Sequence, residues 1–202
     1  REGTTAMSAD QFANGEVAYL LNNSVSDGTQ KWYQTIGEDS IPTLNNARGT
    51  VYYATLLCGG EKNVGNTYAN TQEVSIEHDY NENGFCTKCG AYQPATLTTD
   101  KYDIDGVEGF DEVYEIGNAG QLYWFAALVN GTDGLTQNLG ANAVLTADIT
   151  VNTGVLNADG TLASDVSGFT EWTPIVGNAY PDYYAGTFDG QNHTVSGLYF
   201  DN

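Results

Sequence analysis

The chain has 202 residues, and its 26 Asp and Glu residues outnumber its 6 Lys and Arg residues, which gives a formal net charge of −20 at pH 7. A charge this negative repels phosphate backbones and anionic lipid headgroups, so nucleic acid and membrane surfaces are excluded as partners. Hydrophobic residues make up 41% of the chain and aromatic residues 12%, which is enough to bury the core of one ordinary domain or of two or three small modules.

Composition also bears on where the protein acts. No apolar run approaches the roughly 18 residues that a membrane-spanning helix needs, so no membrane insertion is expected. The chain begins at Arg1 and not at Met, and we expect it to be a piece of a longer protein. Little Lys, a single Met and abundant Gly and Tyr are typical of an exported bacterial protein, which predicts an extracellular location at the cell surface or in the cell wall.

The first predicted segment, residues 1–57, combines a helix with short strands. Ser8 and Gln11 have the spacing of a capping box, and apolar residues then recur at helical spacing until Asn22. Aromatic and β-branched residues are frequent from Trp32 to Thr55, which predicts two or three strands.

The second predicted segment, residues 58–97, is a small module with few aliphatic residues. It contains all three cysteines of the chain and one of its two histidines. A module without a sizeable hydrophobic core needs a cross-link. Four side chains in it match the ligands of tetrahedral zinc, namely Cys58, His78, Cys86 and Cys89.

We expect this metal to be structural zinc, because three thiolates and one imidazole fill all four tetrahedral positions and leave none for substrate or water. Such a site has zinc–sulfur distances of about 2.3 Å and a zinc–nitrogen distance of about 2.0 to 2.1 Å. The main alternative is a disulfide, Cys86–Cys89 or Cys58–Cys86, which leaves one thiol over. A redox-active Cys-x-x-Cys pair is a further alternative, although the strand–helix pattern of thioredoxin-like sites is missing from the sequence around it.

The third predicted segment, residues 98–202, contains a polar linker, a helix and several short strands. Asn118 predicts the start of the helix and Asn130-Gly131 its end. Apolar and polar residues alternate from Leu145 to Val151, which predicts a half-buried strand, and glycine-containing turns separate further strands at 172–176, 184–188 and 193–200. Six residues are expected to point inward: Leu122, Phe125, Leu145, Ile149, Trp172 and Phe188.

Four motifs in this segment resemble the opening of the GLUG-type repeat regions of bacterial surface proteins. They are IGNAGQLYWFAALVN at 116–130, LTADI at 145–149, WTPI at 172–175 and GTFDGQNHTVSGLY at 186–199. The resemblance covers residues 113–202 and implies a right-handed parallel β-helix capped by the preceding helix. Residues 15–22 and 32–37 are similar to the stretch that follows such regions, and residues 78–85 resemble small zinc-ribbon-like insertions of related gut bacterial surface proteins.

A calcium loop is a second candidate metal site. Asp103, Asp105, Gly106 and Glu112 match positions of a twelve-residue loop that begins at residue 101, but Lys101 stands where a carboxylate is needed. A solvated acidic linker is therefore the favoured interpretation, and weak calcium binding is the alternative.

Two other features have a functional and a structural interpretation. His193 follows a turn inside the repeat-like motif and is interpreted as a structural corner residue and not as a catalytic base. An aromatic set offers a surface for stacking sugars, but inward packing is the favoured interpretation. The set comprises Tyr123, Trp124, Tyr180, Tyr183 and Tyr184.

The combined prediction is a mostly β fold with two short helices, made of the helix-capped start of a right-handed parallel β-helix and a small zinc-ribbon-like module. An antiparallel sandwich is the alternative fold. The predicted function is a non-catalytic structural or adhesive segment of a large exported bacterial surface protein, with host or dietary glycans or proteins as partners. An accessory β-helix domain of an extracellular protease or polysaccharide-degrading enzyme is the alternative, and no catalytic residue is predicted within the chain.

Overall fold

The computed structural model describes residues 6–104, 106–175 and 183–201. The chain divides into two compact units, Arg1–His78 and Asp79–Asn202.

The first unit begins with two short helices, α1 (Ala9–Ala13) and α2 (Glu16–Leu21). The predicted capping box is present, since the Ser8 hydroxyl accepts from the Gln11 amide and the Gln11 side chain accepts from the Ser8 amide. The prediction of one continuous helix is wrong. Gly15 has φ of 92°, and a Cβ added there would lie 2.8 Å from Ile36 Cδ1, so the chain breaks at this close approach.

The rest of the first unit is built around a three-stranded sheet of β1 (Tyr52–Cys58), β2 (Lys62–Ala69) and β3 (Glu73–Ile76), in the order β2-β1-β3. β2 is antiparallel and β3 parallel to β1. Of the strands predicted between Trp32 and Thr55, the described residues form only β1 and an isolated bridge between Tyr33 and Thr43. β2 and β3 are not predicted from the sequence. Half of the residues in each strand are exposed and the others only partly buried, so backbone pairing with β1 holds them and not an apolar pattern.

The second unit contains one longer helix, α3 (Ala119–Asn130). Both predicted ends are confirmed: the Asn118 side chain accepts from the Gln121 amide, and Gly131 ends the helix with φ of 70°. Across the described ranges, no helix combines the length and apolar character required to cross a membrane.

The described residues of the second unit contain six strands: Thr96–Thr98 (β4), Val113–Ile116 (β5), Asn142–Leu145 (β6), Ile149–Thr150 (β7), Phe188–Asp189 (β8) and Val195–Ser196 (β9). These strands form a four-stranded sheet, in the order β4-β5-β6-β8, and a two-stranded sheet of β7 and β9. β5, β6 and β8 pair in parallel, as do β7 and β9, whereas β4 is antiparallel to β5.

The predicted fold class, a helix-capped start of a right-handed parallel β-helix, is wrong for the described residues. They form small mixed sheets, and none of these sheets closes or winds into a solenoid. The antiparallel edge strand β4 and the two-residue length of β7, β8 and β9 explain the difference, because so few ladder hydrogen bonds do not define successive coils. Val176, at the end of the strand predicted at 172–176, lies outside the described residues.

The core of the second unit lies between α3 and its sheets. Four of the six residues predicted to point inward are buried: Leu122, Phe125, Leu145 and Ile149. Trp172 packs against this core while partly buried, and Phe188 is 36% exposed but lies 5.9 Å, ring to ring, from Phe125.

Candidate metal centre

Parallel strands bring Cys58 and His78 together. Cys58 ends β1 and pairs in register with Ile76, the last residue of β3, so His78 follows two residues after that pairing. The Gly59 amide donates to the Ile76 carbonyl at 2.8 Å and continues the contact past the strand ends. His78 Nδ1 consequently lies 3.2 Å from Cys58 Sγ.

Cys86 and Cys89 lie on a tight turn within residues 79–95, a segment named here the knuckle. The Gly90 amide donates to the Cys86 carbonyl at 2.9 Å, and Gly90 itself has φ of 74°. The Cys86 amide donates to the Ala91 carbonyl at 2.8 Å. Both thiols are thereby placed on the same turn, as the glycine after the Cys-x-x-Cys pair predicts.

The knuckle packs on the N-terminal end of α3. The Gly120 amide donates to the Asn83 carbonyl at 2.7 Å, and a Cβ added at Gly120 would overlap the carbonyl of Gly84. The rings of Phe85 and Tyr92 lie 5.7 and 5.4 Å from the ring of Tyr123 on α3. The knuckle therefore shares packed surface with the helix.

The four predicted ligand residues form one cluster. One ligand atom from each of Cys58, His78, Cys86 and Cys89 lies within 4.8 Å of all the others. Cys58 and Cys86 are buried, at 1% and 4% exposure, while Cys89 and His78 are partly exposed. The cluster is thus close enough to hold a metal ion, and its soft thiolate donors favour zinc over magnesium, calcium or manganese.

No protein-family model, curated protein or solved structure matches this chain. Its functional interpretation consequently relies on the geometry of the cluster and on the sequence.

The cysteines of the cluster are not joined by disulfides. A Cys86–Cys89 or Cys58–Cys86 bond would use two sulfur atoms and leave the third cysteine and His78 without a role. One metal ion uses all four side chains, which favours the predicted metal site over the predicted alternative.

Sequence reasoning missed Gly59, which packs directly against the imidazole of His78. A Cβ added at Gly59 would overlap His78 Nε2 and lie 2.6 Å from His78 Cε1. The available signal was the Gly59-Gly60 pair directly after Cys58, which parallels Gly90 directly after Cys89.

The predicted calcium loop lies in an exposed stretch before β5. Lys101 forms an ion pair with Glu115, and the Asp111 carboxylate accepts from the Ile104 amide at 2.7 Å. Asp105 lies outside the described residues, so the acidic linker stays a prediction and weak calcium binding its alternative.

Of the remaining candidates, His193, Tyr123, Trp124 and Tyr184 are packed in structural roles. His193 lies in the turn before β9, and its Nδ1 is 3.5 Å from Oδ1 of Asp148, which precedes β7. This position fits the interpretation of His193 as a corner residue. Tyr123 is buried in the core, and the Tyr184 hydroxyl donates to the Ala141 carbonyl at 2.9 Å, so both are packed as the favoured interpretation predicts. Trp124 packs 5.5 Å, ring to ring, from Tyr114, Tyr183 is 50% exposed, and Tyr180 lies outside the described residues.

Proposed function

We propose that this chain is a non-catalytic structural or adhesive segment of a large exported bacterial surface protein, and that its cluster of three cysteines and one histidine holds one structural zinc ion. The observation that carries the zinc assignment is the convergence of four ligand atoms to within 4.8 Å. The acidic, glycine- and tyrosine-rich composition and the GLUG-like motifs support the export and surface location.

A structural role follows from the ligand count and from the knuckle. Three thiolates and one imidazole complete a tetrahedral zinc shell, so no position is left to activate water or to polarise a substrate. The knuckle contains few aliphatic residues, and zinc in sites of this kind contributes on the order of 10 kcal/mol of folding free energy. Zinc therefore supplies the stability that a small hydrophobic core cannot.

The zinc proposal is tested by elemental analysis of protein purified without chelator. We expect one zinc per chain, loss of that zinc in Cys86→Ser, and its retention in Lys88→Ser, which changes an exposed side chain of the same turn. Metal-free protein whose mass shows one disulfide and one thiol would replace the zinc proposal with the disulfide alternative.

The adhesive role is tested by screening the purified chain against host and dietary glycans and proteins. The net charge of −20 favours neutral glycans or basic protein surfaces over sialylated or sulfated glycans, because like charges repel. We expect binding without turnover. Cleavage of any of these molecules by the purified chain would contradict the non-catalytic assignment.

A further inference from the structure

We propose that His78 binds the zinc ion through Nδ1 and that Gly59 is a positioning residue, which holds the imidazole ring with this nitrogen towards Cys58. The inference rests on the proposed zinc site and adds which imidazole atom binds the metal and what holds the ring.

The position of Cys58 Sγ points to Nδ1. The two atoms lie 3.2 Å apart. A sulfur and a nitrogen bound to one tetrahedral zinc ion are about 3.5 Å apart, given zinc–sulfur and zinc–nitrogen bonds of about 2.3 and 2.0 Å. Sγ and Nδ1 thus already have nearly the separation of two ligands of one ion.

One face of the imidazole packs on Gly59. A Cβ added at Gly59 would overlap Nε2 and lie 2.6 Å from Cε1 and 3.2 Å from Cδ2. An atom on the line of the Nε2 lone pair would be equally far from Cε1 and Cδ2, so this Cβ would lie over the face of the ring and not at its edge. Gly59 therefore fixes the plane of the ring, and with it the direction in which Nδ1 points towards Cys58 Sγ.

Position 59 has two separate requirements. Its φ of 64° is unfavourable for residues with a side chain, and its α-carbon must be bare because the imidazole lies on it. Gly60 has only the first requirement: its φ is 79°, but the nearest atom to an added Cβ is Ser75 Oγ at 3.8 Å. Alanine at 59 and alanine at 60 therefore share the backbone cost and differ in the overlap with His78.

The test compares zinc affinity in the full chain and in its Gly59→Ala and Gly60→Ala variants, by competition with a chromophoric chelator. Groups that orient a metal ligand typically change affinity by about 10- to 100-fold when altered, so we expect Gly59→Ala to bind zinc at least about tenfold more weakly than Gly60→Ala. Equal affinities in the two variants would overturn the role of Gly59.

A second measurement needs no variant. The chain has two histidines, so a long-range proton–nitrogen spectrum of the zinc-loaded protein resolves both rings, with His193 as internal reference. We expect His78 to show a metal-bound Nδ1 and a protonated Nε2. A metal-bound Nε2 would overturn the inference while leaving the zinc proposal intact, whereas a chain that binds no zinc would overturn both.

Discussion

At the scale of single residues, the burial of Tyr123 makes the stability of the protein depend on pH. It is 3% exposed, and its hydroxyl donates to the Thr170 carbonyl at 3.0 Å. Desolvation by burial raises the pKa of Tyr123 from the ordinary 10.0 to about 12. Above pH 10 the unfolded chain releases this proton while the folded chain keeps it, so the stability contributed by the neutral hydroxyl is complete below pH 10 and is lost as the pH rises towards 12.

We therefore predict that the free energy of unfolding falls between pH 8 and pH 11, and that it falls less in Tyr123→Phe, which has no proton to lose at this position. Urea denaturation followed by circular dichroism at the two pH values measures both changes. At pH 8 the variant itself loses about 1 kcal/mol with its hydrogen bond. Equal losses on raising the pH in the two proteins would show that Tyr123 ionises normally.

Gln34 is a buried polar residue of the first unit, as Tyr123 is of the second. It is fully buried, and its Nε2 donates to the carbonyls of Phe12, Ala13 and Asp39 at 2.8, 3.2 and 3.0 Å. Gln34→Ala leaves these carbonyls without that donor, and we expect a loss of about 3 kcal/mol of unfolding free energy. The control Gln72→Ala changes an exposed side chain and should cost less than about 0.5 kcal/mol in the same urea titration.

At the scale of elements, helix propensity and packing against the knuckle have opposite effects on a side chain at position 120 of α3. Alanine inside a helix normally stabilises it by about 0.5 to 1 kcal/mol relative to glycine. Here the added Cβ would overlap the backbone carbonyl of Gly84, which has no flexible side chain to move away.

We predict that overlap prevails and that Gly120→Ala lowers the unfolding free energy of the second unit by about 2 kcal/mol or more. Gly168→Ala is the control, because nothing lies within 4 Å of a Cβ added there and its φ is outside the left-handed region. Thermal unfolding of both variants provides the comparison. A Gly120→Ala protein as stable as the parent would mean that the knuckle does not press on the helix.

The same contact connects the proposed zinc site to α3. Under the zinc proposal, Cys86→Ser releases the ion and loosens the knuckle, which removes the partner of the Gly120 amide. We expect faster amide hydrogen exchange at the start of α3 in Cys86→Ser, and unchanged exchange in Lys88→Ser. Unchanged exchange at Gly120 after zinc release would show that the knuckle keeps its fold without metal.

Elements with local determinants were predictable from the sequence. The ends of α3 were predicted because Asn118 and Gly131 act on their own helix. The break between α1 and α2 was not, since it depends on the approach of Ile36 to Gly15 from a distant part of the chain. The same reason applies to the sheets, whose parallel and antiparallel pairings are set by partners far away in sequence.

In the candidate site, the four ligand residues were predictable from the sequence and Gly59 was not. Few residue types bind zinc, so composition and spacing were sufficient to nominate all four clustered side chains. Gly59 binds nothing itself, and its importance becomes visible only when β3 places His78 over it.

At the scale of the whole molecule, the net charge of −20 opposes folding through repulsion among carboxylates. Salt screens this repulsion, with a Debye length of about 30 Å at 10 mM and about 8 Å at 150 mM. We predict that raising NaCl from 10 to 150 mM at pH 7 increases the melting temperature. The increase should be about 2 to 4 °C for each kcal/mol gained in the free energy of unfolding. An equal osmolality of sucrose is the control, and a melting temperature that falls with salt would show that attractive ion pairs dominate instead.

The aromatic packing around Tyr123 connects the fluorescence of the protein to the proposed zinc site. Trp172 lies 5.1 Å, ring to ring, from Tyr123, and Tyr123 in turn touches Phe85 and Tyr92 of the knuckle. Light absorbed by these tyrosines reaches Trp172 by energy transfer, and the wavelength of indole emission responds to the entry of solvent. Zinc release that loosens the knuckle would accordingly change the colour and intensity of the intrinsic fluorescence, so metal loading can be followed without any attached dye.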